Sequence, residues 1–435
     1  MLDKLKIIDI PLKKISFKNQ LFLYLIFITG VVSFSIIYSY IFTNKFPNTI
    51  DKDFNLIVKS IEFGNGPLIH NLLLFKEYKS NFYGIDFYLQ KLPLLPILYF
   101  FILKISSNFI LFIIIKNLVS FSTLYFFSFF SLRSLNKNLS FFLILMIVPF
   151  LIPYNLFVSL NYQYSDCILV VLIPSLYLVL ISKLKNKFIL ASIILFFLYL
   201  TKTSMFFLTI IIPITTIIIE RKLSCFFILL GPIIAIIIWG SFGYKKIDKF
   251  VFGADNLSVN SMGMHLVLHD KFFDYFPRKS IDILQNNIKI PKNIKNETEF
   301  YKYFEKKNSD FFSSNENKLN YFLDSFKKIK FILLDFRRDA SNMENGKFNN
   351  SVRISMIPNK IILNLSILLS FIYLIKKLKK NINIKLEIYF IIILSLNMMP
   401  HVVAWATSKH LVPAFIVSFY YFYFLLNDQI KKNEQ

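Results

Sequence analysis

The 435-residue chain is 55% hydrophobic, with 52 Phe, only 17% charged residues and a mean hydropathy of +0.55. That much apolar surface exceeds what a single soluble core can hide, which excludes an ordinary water-soluble globular protein. The net charge of +24 does not indicate nucleic acid, because the lysines fall in short clusters between apolar runs rather than along one soluble face.

Apolar runs of about 15–25 residues recur, and each run long enough to cross about 30 Å of hydrocarbon reads as a transmembrane helix. The basic segment 1–20 is expected on the cytoplasmic side, by the excess of lysine that cytoplasmic loops carry. Leu21–Thr43 is then a first span going outward. It is too long for the core of a signal peptide, and no small-residue cleavage site follows. An outer segment, 44–107, comes next. Its stretch LPLLPILYFFILKI (92–105) is too short to cross, and counting it as a span would put RSLNKN (133–138) outside against its charge. It is therefore read as a juxtamembrane helix.

Further spans are expected at 108–130, 139–153, 166–182, 188–200, 205–219 and 225–239, followed by a large outer loop, 241–358. Spans at 359–375, 385–399 and 411–426 lead to a cytoplasmic tail, 427–435. The expectation is an all-α polytopic membrane protein with about ten transmembrane helices. Segment 21–240 forms a transmembrane module that includes the first outer loop, and 359–426 holds the C-terminal helices. Cys167 and Cys225 begin helices at opposite faces in this threading and should not pair.

Two amphipathic stretches lie outside the spans. In IDKDFNLIVKSIEFGNG (50–66), Phe54, Ile57, Val58 and Ile61 recur at helical spacing, so 54–63 is predicted to lie on the membrane and to stop at Gly64-Asn65-Gly66. In SSNENKLNYFLDSFKKIKFILL (313–334), Ser313 and Glu316 form a capping-box pattern. An apolar stripe follows through Leu319, Phe322, Leu323, Phe326, Ile329 and Leu333. With Lys327, Lys328 and Lys330 flanking it, that helix either lies on an anionic membrane surface or packs on a small extramembrane core.

The spans read as nearly free of charge, which weighs against an ion-coupled transporter. Candidate chemistry gathers instead at outer loop edges. Asp51 precedes the first amphipathic helix and could deprotonate a hydroxyl or hold a divalent ion. Asp53 stands at the helix start, where an aspartate commonly caps, and is a secondary acidic candidate. Asp166, in SLNYQYSDCILVV, either caps its helix or converges with Asp51 on one site. Lys202, in the turn LYLTKTSMFF, either snorkels or holds a phosphate. Lys409 and His410, in WATSKHLVPAF, would suit an anionic leaving group. His265 and His269 are four apart but lack a third metal-ligand partner, and His70 and His401 read as surface or packing residues.

The order of these features resembles the GT-C superfamily of integral-membrane glycosyltransferases, in its polyprenyl-phosphate-sugar-dependent, mannosyl- and arabinose-transferase-like group. TIDKDFNLIVKSIEFGNG is similar to the family's acidic first loop and amphipathic helix, with Asp51 at the acidic position. KLPLLPILYFFILKI is similar to its Pro-rich juxtamembrane helix, through Pro93 and Pro96. Asp166 falls at its second acidic position, Lys202 at a basic residue of the RPT kind, and SKHLVPAF resembles its ERYLLP pattern through Lys409 and Pro413. This chain departs by carrying lysine at 202 and 409 in place of arginine and His410 in place of tyrosine.

The resemblance implies inverting transfer of a sugar from a polyprenyl-phosphate donor to a glycan, lipid or protein acceptor at the outer face of a bacterial inner membrane. Asp51 would be the base and Asp166 its support, while Lys202, Lys409 and His410 would bind the donor phosphate. No cofactor is implied beyond an Mg or Mn ion on Asp51 and Asp166 if a divalent ion is used, and no nucleic acid. Two other readings stay open. One is an envelope-glycan protein of the O-antigen polymerase or ligase type, and the other is a lipid-linked glycan flippase or transporter with no covalent chemistry.

Overall fold

The computed structural model describes residues 10–43, 58–59, 61, 69–70, 86–87, 92–105, 108–161, 165–252, 294, 296–334, 355–380, 382–403 and 408–433. These residues are almost entirely helical. The exceptions in regular structure are a two-residue antiparallel pairing, Ile69–His70 with Asp86–Phe87, and an isolated bridge between Pro11 and Asn138.

Helix α1 (Phe17–Thr43) lies along α3 (Phe109–Ser134), with α2 (Leu94–Ile105) packed beside α3. The chain continues through α4 (Leu139–Leu151), α5 (Pro153–Leu160), α6 (Asp166–Ile181), α7 (Lys187–Thr201) and α8 (Phe206–Glu220). A 3-10 turn, Leu223–Leu229, runs into α9 (Leu230–Ile247). Helices α10 (Glu297–Ser313) and α11 (Asn315–Leu334) precede α12 (Ile357–Lys379), α13 (Lys385–Val403) and α14 (Val412–Asn433).

Among the described residues, five helical stretches are long and apolar enough to cross a membrane: Phe17–Tyr40, Ile110–Ser134, Thr203–Glu220, Leu223–Ile247 and Ile357–Lys379. The chain is an integral membrane protein. Leu139–Leu151 and Pro153–Leu160 make a sixth if they are counted as one broken span. Helices also occupy the other stretches expected to cross, but α6 and α7 are shorter, at 16 and 15 residues. Several helices run past their expected ends, the last of them to Asn433 in the expected tail, and two of the shifted boundaries change the path of the chain. The helix expected at 225–239 continues to Ile247, so the segment after it begins later than 241. The helix expected over 139–153 ends at Leu151, and the chain turns by 88° into α5.

Proline chemistry accounts for that turn. Pro153 has no N–H to give the Pro149 carbonyl four residues back, so the helix cannot continue through it. The Asn155 side chain fills the gap, donating from Nδ2 to the Pro149 carbonyl at 2.9 Å. Asn155 and Asn359 of α12 also exchange amide hydrogen bonds at 3.0 and 2.7 Å, both side chains being buried. The bend is thus locked to a distant span.

Helix α6 is the axis of the bundle. Every residue from Asp166 to Leu180 is buried, and α3, α7, α13 and α14 surround it. A helix apolar on all faces has no lipid-facing side, which explains its central place. Helix α1 shows the opposite arrangement, with Phe22, Leu25, Ile26, Ile36 and Ile37 exposed on the outer wall. Where α7 and α9 cross, the backbones nearly touch. A Cβ on Gly231 would lie 1.9 Å from the Ser192 carbonyl oxygen, so only glycine fits there.

The basic turns collect at one end of the bundle. Glu220 bonds Lys187 and Lys385, each at 2.7 Å, and joins α7, α8 and α13. Lys377 pairs with the buried Glu387 at 2.7 Å, and Lys137 reaches Asp428 at 3.4 Å. The Leu12 N–H bonds the Lys137 carbonyl at 3.0 Å, which closes this end with the N-terminal segment.

Outside the spans, the expected juxtamembrane helix is present as α2, with Leu95, Tyr99 and Ile102 buried and Ile97, Phe101 and Ile105 exposed. Of the first amphipathic stretch, Val58 lies in the main apolar core and Ile61 packs against it, so at these two positions the stripe faces protein rather than membrane. Helix α11 starts one residue later than its capping box predicts. Ser314 Oγ accepts from the Asn317 N–H at 3.4 Å, while Ser313 Oγ donates back to the Asp310 carbonyl. Leu319, Phe322, Leu323 and Phe326 are exposed, so this part of the stripe covers no extramembrane core. Lys328 is fully buried rather than flanking the stripe, and the last turn is anchored by Asn364 Nδ2 donating to the Leu333 carbonyl at 3.0 Å.

The amide pair across α5 and α12 yields a direct expectation. Asn155→Ala and Asn359→Ala should each destabilise the protein by about 1 kcal/mol, and the double variant by less than their sum. Unfolding in a denaturing-detergent titration reads this, and additive losses would mean that the two amides do not interact.

Candidate functional site

Three of the residues singled out by sequence meet at the end of the bundle opposite the basic turns. Asp166 opens α6, Lys202 lies between α7 and the short 3-10 helix Thr203–Met205, and His410 lies in the 3-10 turn Ser408–Leu411 before α14. Asp166 Oδ1 is 2.9 Å from Lys202 Nζ and 2.8 Å from His410 Nδ1, and Lys202 Nζ is 2.9 Å from the same Nδ1. The carboxylate side chain is 2% exposed, against 22% for Lys202 and 19% for His410. The acid is therefore the floor of the site and the two bases are its accessible rim.

With Asp166 ionised, this triangle cannot satisfy all three of its edges. If Nδ1 carries a proton it donates to Asp166, and then Lys202 faces a second donor. If Nδ1 is bare it accepts from Lys202, and then two lone pairs oppose each other across the His–Asp edge. The Lys202 ammonium carries three N–H donors, more than the triangle uses in either case. Charge-assisted bonds of this kind are the strong ones, and more so away from bulk water.

Local structure explains the placement. Ser165 occupies the cap position of α6 without a side-chain capping bond, and Asp166 stands in the first helical turn. There its charge is favoured by the helix dipole. Its Oδ1 is committed to the two bases, so capping is not its main role. Lys202 is pinned because its backbone carbonyl accepts from the Met205 N–H at 2.9 Å.

Beneath this cluster lies a residue whose role sequence reading missed. Lys116 sits two turns into the long helix α3 and is fully buried. Its ammonium donates to the carbonyls of Ser159, Leu160 and Asn161 at 3.3, 3.2 and 2.8 Å, closing the C-terminus of α5. The Cys167 thiol, next to Asp166, lies against the same ammonium. The spans are thus nearly but not wholly free of ionisable side chains. The signal was a lone lysine in FILFIIIKNLV, since an ionisable residue inside a span marks a demanding environment.

Asp51, Asp53, His265 and His269 lie outside the described residues, and so do the side chains of Lys409, His70 and His401. Among the described residues, no three of His, Cys, Asp and Glu come together as a metal site. The donor set at Asp166 does not suit a divalent ion either, because a lysine ammonium already occupies its Oδ1. Cys167 and Cys225 are both free and buried.

Comparison of the chain with family models, curated proteins and solved structures gives no match.

Removing the buried ammonium tests whether it holds the site together. Lys116→Met leaves three carbonyls without their donor, at a cost of roughly 1–3 kcal/mol for each unmet buried group. It should lower the thermal unfolding temperature in detergent clearly more than Lys202→Met does. Equal losses would remove the special role of Lys116.

Proposed function

We propose that this protein is a GT-C-like membrane glycosyltransferase that moves a sugar from a polyprenyl-phosphate donor to an acceptor with inversion. The observation that supports this best is the meeting of Asp166, Lys202 and His410, drawn from three distant parts of the chain, within 2.9 Å of one another. Motif order assigns Asp166 to the second acid and Lys202 to a phosphate-binding base, and His410 follows Lys409, which takes the arginine position of the last motif. In this reading the basic end faces the cytoplasm, the site faces the exterior, and about ten helices cross. Helices α6 and α7 rise only about 24 and 22 Å at 1.5 Å per residue, short of about 30 Å of hydrocarbon. The site therefore sits recessed below the outer boundary, where the phosphate of a membrane-anchored donor can reach it from the side.

The acceptor oxygen attacks the anomeric carbon from the face opposite the donor phosphate. Its proton passes to a carboxylate, which is Asp51. The bond from the anomeric carbon to the phosphate oxygen breaks, and the electron pair leaves with the polyprenyl phosphate. Lys202 and His410 donate to the phosphate as its charge grows, with Lys409 as a further cation. Asp166 holds both bases in position. Lysine offers a point charge rather than a bidentate fork, so two or three weaker contacts replace one arginine clamp. Chemistry of this sort needs no metal at Asp166.

Membranes carrying equal amounts of wild type, Asp51→Asn, Asp166→Asn or Lys202→Met are given a panel of radiolabelled polyprenyl-phosphate sugars. Wild type should transfer label, and Asp51→Asn should be slower by about 10²–10⁴-fold, the usual cost of losing a general base. Asp166→Asn and Lys202→Met should lose at least about tenfold. Transfer unaffected by all three substitutions would refute the assignment. No transfer from any donor would turn the reading toward a polymerase, ligase or flippase.

A further inference from the structure

A groove of about 590 Å3 opens on the side of the bundle near its basic end, between α3 and the start of α7. Phe126, Phe127, Phe130 and Leu190 form its body, and Lys185 and Asn186 form its mouth. Phe126 and Phe130 stand one helical turn apart with nearly parallel rings, 18° between planes, and are 39% and 43% exposed. They present an exposed aromatic wall within Ile110–Ser134, a stretch apolar and long enough to cross a membrane.

The mouth is cationic without local compensation. Arg133 lies one turn beyond Phe130 on α3, and the exposed Lys183 and Lys185 lie in the following turn. That turn is fastened to α3 by the Lys183 N–H donating to Ser134 Oγ at 3.0 Å. Nearby lysines have carboxylate partners, Lys187 in Glu220 and Lys137 in Asp428. Among the described residues, Arg133, Lys183 and Lys185 have none. Segments 109–138 and 182–195 contain no Asp or Glu at all.

We propose that this groove binds one acidic glycerophospholipid from the leaflet at the basic end. Its phosphate sits at the mouth on Lys185 and Asn186, and one acyl chain lies along the Phe126–Phe130 wall. A soluble anion would use the cations and leave the aromatic wall bare. A zwitterionic lipid would fill the wall but bring an ammonium toward three cations. An acidic lipid alone matches both halves, as cationic clusters beside membrane helices generally do. The proposal is independent of the transfer chemistry, since the groove lies at the opposite end from Asp166.

The test uses the full-length protein carrying Phe127→Trp, reconstituted into phosphatidylcholine vesicles with a fixed fraction of brominated phosphatidylglycerol or brominated phosphatidylcholine. Quenching of the added tryptophan is taken as the difference from the parent protein. Brominated phosphatidylglycerol should quench about threefold more strongly, and Lys185→Glu combined with Arg133→Glu should abolish that preference. Lys185 is exposed and Arg133 is half-buried, and an unchanged thermal transition confirms folding. Should Phe127→Trp itself fail to fold, Phe130→Trp places the reporter on the more exposed part of the wall. Equal quenching by the two lipids would overturn the proposal and leave a non-selective lipid wall. Absence of quenching by either would show that no lipid enters the groove.

Discussion

The arrangement at the site end depends on one buried ammonium. Lys116 reaches from the wall of α3 to the last carbonyls of α5, and three backbone acceptors that a membrane interior would leave unmet are met by a single side chain. A charged group in this setting is costly unless it is fully hydrogen-bonded, and carbonyls at a helix C-terminus carry the partial negative charge that suits it. Each partner removes the other's penalty. Through that contact the chain can turn by 88° at Ile152, run sideways for two turns and re-enter the bundle as α6.

From this turn the rest of the site follows. Lys116 lies 18 residues from the basic end of α3, a rise of about 27 Å, and α6 rises about 24 Å from the same end. The end of α5 and the start of α6 thus arrive at the level of the ammonium, with Cys167 against it and Asp166 just beyond. The α7–α8 turn is equally short and delivers Lys202, and the turn before α14 delivers His410. Three short or interrupted elements among longer helices make a recess, and the recess holds an acid below two bases.

Much of this was legible because the responsible signals are local. Helix positions follow from apolar runs, and Lys202 and His410 announce themselves as polar residues at the edges of such runs. Asp166 stood out for the same reason. That the three would touch was not legible, because the sequence reading paired Asp166 with Asp51 and no local property links Asp166 to the two bases. What escaped reading depends on tertiary partners. The bend needs both Pro153 and the remote Asn359, and Lys116 looks anomalous until the end of α5 is placed against it. The stripe on α11 was readable as amphipathic, but which side it would face was not, and neither was the burial of Lys328 among supposedly exposed lysines. Cap positions shift by one residue when neighbouring serines compete, as Ser313 and Ser314 do.

The central claim is that Lys202 and His410 form an anion site for a lipid phosphate, and binding without chemistry tests it most directly. The dissociation constant of a sugar-free polyprenyl monophosphate should be measured for the wild-type protein and for a Lys202→Gln/His410→Gln variant in the same detergent. Each charge-assisted bond is worth about 1.5–3 kcal/mol, so the variant should bind at least about tenfold more weakly. An unchanged constant, with the fold intact, would contradict the account and place any phosphate away from Asp166.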